Sequence, residues 1–430
     1  MVPDVMNEVR RPRHSSWPVI VAGLVFLVFL VASHLAWLNP RPGFEVYRTF
    51  DSWPFMWQYN ADAGMEIISA AYFPHGFETY PQRINRPLYP ALAWAIGNAG
   101  GLVLSPLRAT SPLERAAAGY IVLKLVVQWL GVVVSARLLE RYMSRTAARV
   151  ASLFMLLHPF VFAHIATFHT TELQVWVPVF SLWMVFWTAE ETGQRYWRRV
   201  LLSAAVIGVL MLGKQNFAVA AALAVWLLGA RRWREVLAAV PAFLAPLLLY
   251  MAFLRLVGLS YRNNEIAAME QGIWVLRLLQ ENPYQLWVTL HESIYRFFEH
   301  MIRFYGIGFL LAAIALGRPE RRVGTGEPWF VFLLSGATWA QYAAVRRLDV
   351  VYMVGDVWFV VLALAVWLVW DVWRLGAWRR WFSPVVLAFY GLASVLTFLN
   401  LPWVHPMDQA FRSPEVLESR LEMVENPDAP

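Results

Sequence analysis

The sequence predicts an all-α polytopic membrane protein that crosses the bilayer about eleven times. Three observations predict it. Of 430 residues, 59% are hydrophobic and only 15% charged, with a mean hydropathy of +0.47, too little charge to cover a soluble domain of this size. Apolar runs of spanning length recur, among them Val19–Leu38, Val236–Leu256, Val350–Trp370 and Pro384–Leu399. Between such runs the arginines return in dense clusters: Arg10/Arg11/Arg13, Arg137/Arg141/Arg145/Arg149, Arg195/Arg198/Arg199, Arg231/Arg232/Arg234, Arg318/Arg321/Arg322 and Arg374/Arg379/Arg380.

The positive-inside rule places all six clusters, and with them the N-terminus, in the cytoplasm. Consecutive clusters are then separated by an even number of crossings, and this parity tests each helix. The net charge of +7 resides in these clusters, so the partner it implies is the lipid bilayer and not nucleic acid. The 23 tryptophans are ample for belts at both interfaces. There is no cysteine, which removes disulfides, thiolate metal sites and thiol nucleophiles.

Helix 1, about 17–38, reads as a signal anchor: it is long for a signal peptide and ends in Leu35-Ala36-Trp37-Leu38, without a small-x-small exit. A long external loop, 39–115, follows. Within it Leu88–Leu107 is apolar and nearly long enough to span, yet it holds Pro90, Asn98 and Gly100-Gly101. A crossing there would put the 137–149 cluster outside, so the segment is expected in the membrane plane. The next helices are about 116–138, 149–166 and 172–189. The stretch 200–230, between two cytoplasmic clusters, is broken at Gly213-Lys214-Gln215-Asn216. It reads as two short helices, 200–213 and 216–230, or a re-entrant pair, with Lys214 at the far end. Helix 7 is about 236–257.

A second external segment, 258–303, repeats Ile273, Leu276, Leu279, Leu286, Leu290, Ile294 and Phe297 near helical spacing, which predicts amphipathic helices lying in the interface. The remaining spans are about 304–317, 328–345, 350–370 and 382–400. The tail 401–430, acidic through Glu415, Glu418, Glu422 and Glu425, falls outside. No internal repeat or inverted halves are visible.

Candidate chemistry concentrates in the first external loop: Phe50-Asp51-Ser52-Trp53, then Asp62-Ala63-Gly64-Met65-Glu66, then Arg83-Ile84-Asn85-Arg86-Pro87-Leu88-Tyr89-Pro90. If Asp62 opens a helix, Asp62 and Glu66 share a face at i, i+4. Two carboxylates so placed raise each other's proton affinity and suit a general base; the other reading is a helix cap and a solvated acid. His164, His169 and Glu172 gather where the third and fourth helices meet and are candidate ligands for a divalent ion, at a spacing that matches no strong metal motif. Lys124 and Lys214 are the only lysines, both inside apolar stretches where a charge is costly.

The pattern Asp-Ala-Gly at 62–64 followed by Arg-Pro-Leu-Tyr-Pro at 86–90 resembles the first external loop of the GT-C superfamily of membrane glycosyltransferases. The likeness is to mannosyltransferase-like and uncharacterised bacterial members. It continues through His158-Pro159, Thr171-Glu172 and Leu212-Gly213-Lys214-Gln215, and through Arg346-Arg347 with Tyr352 late in the chain. The stretch covered is roughly Asp51 to Ala230 plus the late element. Met65 and Glu66 stand where the family has aromatic residues, which keeps Asp51 as the second candidate beside Asp62.

The resemblance implies a GT-C-like bundle. It implies transfer of a sugar, with inversion, from a polyprenyl-phosphate donor to an acceptor glycan, lipid or protein outside the cytoplasm. An external Asp is the base: Asp62 first, Asp51 second, Glu66 supporting. Arg83, Arg86, Lys214, Arg346 and Arg347, external in this topology, are expected to meet the donor's lipid phosphate. Some members of the superfamily use a divalent ion and others do not, so metal dependence stays open. The arginine-for-lysine usage points to a bacterial inner membrane. A flippase or transporter of a lipid-linked sugar, and a silent scaffold of an envelope-assembly complex, are the alternative classes.

Overall fold

The computed structural model describes residues 16–38, 45–48, 56–59, 61–79, 84–104, 111–157, 173–214, 223–224, 226–261, 273–305, 307–317 and 361–372, with single positions at 161, 165, 170 and 385. The helices expected at 328–345 and 382–400, the acidic tail and three of the arginine clusters lie outside the described residues, apart from Val385.

The architecture is helical. In chain order the helices are α1 Trp17–Leu38, α2 Ala61–Ala71, α3 Gly76–Thr79, α4 Leu88–Leu104, α5 Pro112–Leu139, α6 Arg145–Leu156, α7 Leu173–Ala189, α8 Gly193–Met211, α9 Trp233–Leu256, α10 Ile273–Glu281, α11 Pro283–Tyr305 and α12 Ile307–Leu316. A helical segment covering 361–372 ends in a π-turn at Leu368–Val372. To this the first loop adds one feature the hydrophobic pattern did not predict. Strands β1 Glu45–Arg48 and β2 Met56–Tyr59 pair antiparallel, with Glu45 opposite Tyr59 and Arg48 opposite Met56.

The central element is α5. Its start is set by chemistry: Ser111 accepts from the Glu114 amide at 3.2 Å while the Ser111 amide donates to the Glu114 carboxylate at 2.9 Å, a closed capping box with Pro112 at the first helical position. Around α5 pack α1, α2, α4, α6 and α7. One buried cluster joins Val21 and Val25 of α1, Val132 of α5, Ala151 and Met155 of α6 and Trp176 of α7. A second joins Phe29, Ile68, Tyr89, Tyr120, Leu173 and Met211 at the other half of α5.

Two helices, α5 and α9, are long and apolar enough to cross a membrane among the described residues. They use that hydrophobicity differently. More than half of the apolar stretch of α5 is buried, whereas α9 turns Leu237, Leu248, Leu249 and Leu256 outward. An outward apolar helix face of this length is stable against hydrocarbon and not against water.

Three segments differ from the expected boundaries. The third helix was expected at 149–166; α6 starts earlier, at Arg145, capped by the Ser144 side chain, and stops at Leu156 ahead of His158-Pro159, since a residue before proline is steered away from helical backbone. The helix expected from 200 begins at Gly193, so α8 includes the Arg195/Arg198/Arg199 cluster. Within the stretch expected in the membrane plane, α4 is laid antiparallel along the first half of α5. A Cβ on Gly97 would collide with the Arg115 carbonyl oxygen, and one on Gly119 with that of Ala93 and, at 2.9 Å, with the Gly97 nitrogen. Two glycines facing each other let these backbones touch, and that close approach sets the direction of α4 relative to α5.

The described arginine clusters share one pole of the bundle. Arg149 lies over the Trp17 ring at 5.0 Å, bringing the start of α1 to the first turns of α6. Arg141 pairs with Glu190 at the end of α7, Arg199 of α8 pairs with Glu191 at 2.7 Å, and Arg232, before α9, covers the Tyr196 ring at 4.5 Å. Thus α1, α6, α8 and α9 start at this pole and α5 and α7 end there, the alternation that the parity argument requires. Helices α10 and α11 carry Leu276, Leu279, Trp287, Tyr295 and Ile302 outward, with Trp274, Leu286 and Ser293 buried.

Candidate functional site

At the opposite pole three chain segments, distant in sequence, meet beside the start of α4. The first is α2. Asp62 occupies its first turn, four residues before Glu66. Glu66 is 0% exposed, so the reading of it as a solvated acid does not hold. The Tyr120 hydroxyl of α5 lies 3.3 Å from the Glu66 carbonyl oxygen and 3.4 Å from its carboxylate, and the Thr170 hydroxyl donates to the other carboxylate oxygen at 3.4 Å. These distances exceed the usual hydroxyl–oxygen range of about 2.5–3.0 Å, so the two hydroxyls orient the carboxylate more than they grip it. They nevertheless connect α2, α5 and the entry to α7 through one buried acid.

The second segment is Ile84–Tyr89, the Arg-Pro-Leu-Tyr element. Asn85 and Tyr89 are buried and Arg86 is half-buried. The Tyr250 hydroxyl of α9 donates to the Ile84 carbonyl at 2.8 Å, and Tyr89 packs its ring against Tyr120 at 6.2 Å. The third is the end of α8. There the chain tightens into a turn: the amides of Gly213 and Lys214 both donate to the Leu210 carbonyl, at 3.0 and 3.1 Å. The Leu212 carbonyl, freed from the helix, accepts from the Leu88 amide at 3.2 Å. Gly213 sits between Leu88 and Leu173, each with a methyl carbon 3.2 Å from where a Cβ would stand. The broken hairpin is thereby clamped onto the Arg86–Leu88 element, with Lys214 only 8% exposed.

Of the residues singled out in the sequence, the structure brings Glu66, Arg86 and Lys214 to this pole. Asp62 is placed by its helix. Asp51, Arg83, Arg346, Arg347, His164, His169 and Glu172 lie outside the described residues. Among the described residues no group of three His, Asp or Glu is placed to hold a metal ion.

Tyr120 and Thr170 were not anticipated. The signal that could have found Tyr120 is a polar stripe on an apolar helix: Tyr120, Lys124 and Gln128 repeat every four residues on α5, all 0% exposed. Gln128 accepts from the Trp176 indole at 2.6 Å, and Lys124 is buried one turn from Tyr120. Nothing in the sequence marks Thr170 apart from its neighbour Thr171.

The geometry can be set beside known proteins. The chain superposes on the crystal structure of ArnT from Cupriavidus metallidurans bound to undecaprenyl phosphate, with a TM-score of 0.53 over 96% of this chain and 71% of that one, at 13% identity. The two chains share a fold. An alignment over nearly the whole length means that the order and packing of helices are shared, while so low an identity leaves residue roles to be argued from this chain's own contacts. No protein-family model matches the chain, and no curated protein matches it.

Proposed function

We propose that the chain is an integral membrane glycosyltransferase that moves a sugar, with inversion, from a polyprenyl-phosphate donor to an acceptor on the non-cytoplasmic face. One observation carries the reading: the Lys214 turn is hydrogen-bonded to the start of α4 beside Arg86, at the pole away from the arginine clusters and next to the helix that bears Asp62. The likeness to a protein crystallised with undecaprenyl phosphate supports the donor class.

The chemistry divides accordingly. Asp62, or Asp51 as the second candidate, takes the proton of the acceptor hydroxyl as its oxygen forms a bond to the anomeric carbon. The bond from that carbon to the phosphate oxygen breaks, and its electron pair leaves with the lipid phosphate. Arg86 and Lys214, joined by Arg83, Arg346 and Arg347, meet the charge that develops there, in a region where low dielectric makes fixed cations effective. Glu66 holds α2 against α5 and thereby sets the height of Asp62.

The test is transfer by the purified protein in proteoliposomes, from a polyprenyl-phosphate sugar donor. Asp62→Asn is expected to abolish transfer while the fold, read by thermal melting, is kept; full activity in both Asp62→Asn and Asp51→Asn ends the proposal. Sidedness is read separately, using the absence of native cysteine. A membrane-impermeant thiol reagent added outside cells should label Ala99→Cys and spare Ser144→Cys, both exposed positions at opposite poles. The reverse pattern would place the site in the cytoplasm.

A further inference from the structure

Among the described residues the cytoplasmic-type pole holds ten arginines, in the clusters 137–149, 195–199 and 231–234, against four glutamates, Glu140, Glu190, Glu191 and Glu235. Eight of the ten fall into two groups. Arg141, Arg149, Arg199 and Arg232 are used within the protein: each lies over an aromatic ring, and the first three also reach a glutamate. Arg195, Arg198, Arg231 and Arg234 are exposed and, among the described residues, meet neither a carboxylate nor a ring.

These four are brought together by the fold. Arg232 stacks on Tyr196 at 4.5 Å, docking the turn that carries Arg231 and Arg234 onto the helical turn that carries Arg195 and Arg198. Arg231 adopts φ of 57°, a left-handed conformation costly for a residue with a side chain. Two large indoles flank the cations, Trp197 at 39% and Trp233 at 65% exposure. Outward indoles beside unopposed guanidiniums are the chemistry of a membrane headgroup layer.

From this we infer that Arg195, Arg198, Arg231 and Arg234, with Trp197 and Trp233, form a binding site for the phosphate headgroup of an anionic phospholipid. The lipid's acyl chains would run along the outward apolar face of α9, where Leu237, Val240 and Leu244 are exposed below Trp233. Four like charges held on adjoining turns repel one another until an anion enters, and guanidinium forks match phosphodiester oxygens. Interfacial indoles fix the depth at which the phosphate is met. The site is independent of the transfer reaction, which lies at the other pole.

The test uses the whole protein in nanodiscs of phosphatidylcholine alone or with phosphatidylglycerol. Phosphatidylglycerol should raise the melting temperature of the unmodified protein by about 3 °C or more, as a ligand that binds only the folded state does. The variant R195Q/R198Q/R231Q/R234Q should melt like the unmodified protein in phosphatidylcholine, showing that it folds, and should lose most of the phosphatidylglycerol increment. An equal increment in the variant, or none in the unmodified protein, overturns the site. So does an equal increment from inorganic phosphate in phosphatidylcholine discs, which would make it a site for a soluble anion.

Discussion

Lys214→Met is expected to lower sugar transfer by about 10²- to 10³-fold, the range seen when a single charge-stabilising donor is removed from a transition state. The structure explains why the loss should fall on catalysis and not on folding. The turn is held by backbone groups, the Leu88 amide on the Leu212 carbonyl and the Lys214 amide on the Leu210 carbonyl, and none of these depends on the lysine side chain. Methionine keeps the length and apolar stem while removing the ammonium. The measurement is initial rate against donor concentration in proteoliposomes, beside a melting curve. A fall in kcat at unchanged melting temperature is the expected pattern; unchanged rates would remove Lys214 from the donor site. Lys214→Arg should recover part of the rate, because the charge survives but the compact ammonium does not.

Gly119→Ala is the second large effect, and it is expected on stability. One methyl group at this position meets the carbonyl of Ala93 on α4, and backbone cannot rotate aside as a side chain can. The cost should reach or exceed the ~1–3 kcal/mol typical of overpacked cores, enough to lower yield and melting temperature sharply. Gly100→Ala on α4 is the matched control: nothing lies within 4 Å of its added Cβ, so it should be neutral or slightly stabilising. Because α4 carries Tyr89 and follows directly from Arg86, separation of α4 from α5 should also reduce transfer in whatever Gly119→Ala protein folds. Equal melting temperatures for the two variants would show that the helices do not touch as described.

The polar contacts of the site extend the same logic. Glu66 is wholly buried, and a buried acid is tolerated where donors surround it. The hydroxyls that reach it come from α5 and from the segment leading into α7, so the loop helix α2 and the bundle are fixed relative to each other by a contact that is internal to the protein. A site built this way keeps its geometry before the donor arrives, and that preorganisation is what makes fixed cations useful against a leaving phosphate.

Much of this protein can be read from local composition. Spanning runs such as Val19–Leu38 and Val236–Leu256 are visible because transfer into hydrocarbon is summed over some twenty neighbouring residues. The common pole of the arginine clusters is visible because parity depends only on the order of runs and charges, and the contacts Arg149–Trp17, Arg141–Glu190 and Arg232–Tyr196 agree with it. The break at Gly213-Lys214 is visible for the same local reason: a glycine and a charge interrupt an apolar helix. What only the tertiary structure decided are facts about pairs of distant residues. Periodicity left Glu66 solvated or coupled to Asp62; its burial follows from Tyr120 and Thr170, which arrive from distant parts of the chain. Parity of the arginine clusters suggested an in-plane path for Leu88–Leu107; that Leu88–Leu104 runs along α5 is decided by the close approach of Gly97 to Arg115 and of Gly119 to Ala93. Sequence pattern reports the solvent each segment prefers, and packing alone reports which segments share a surface.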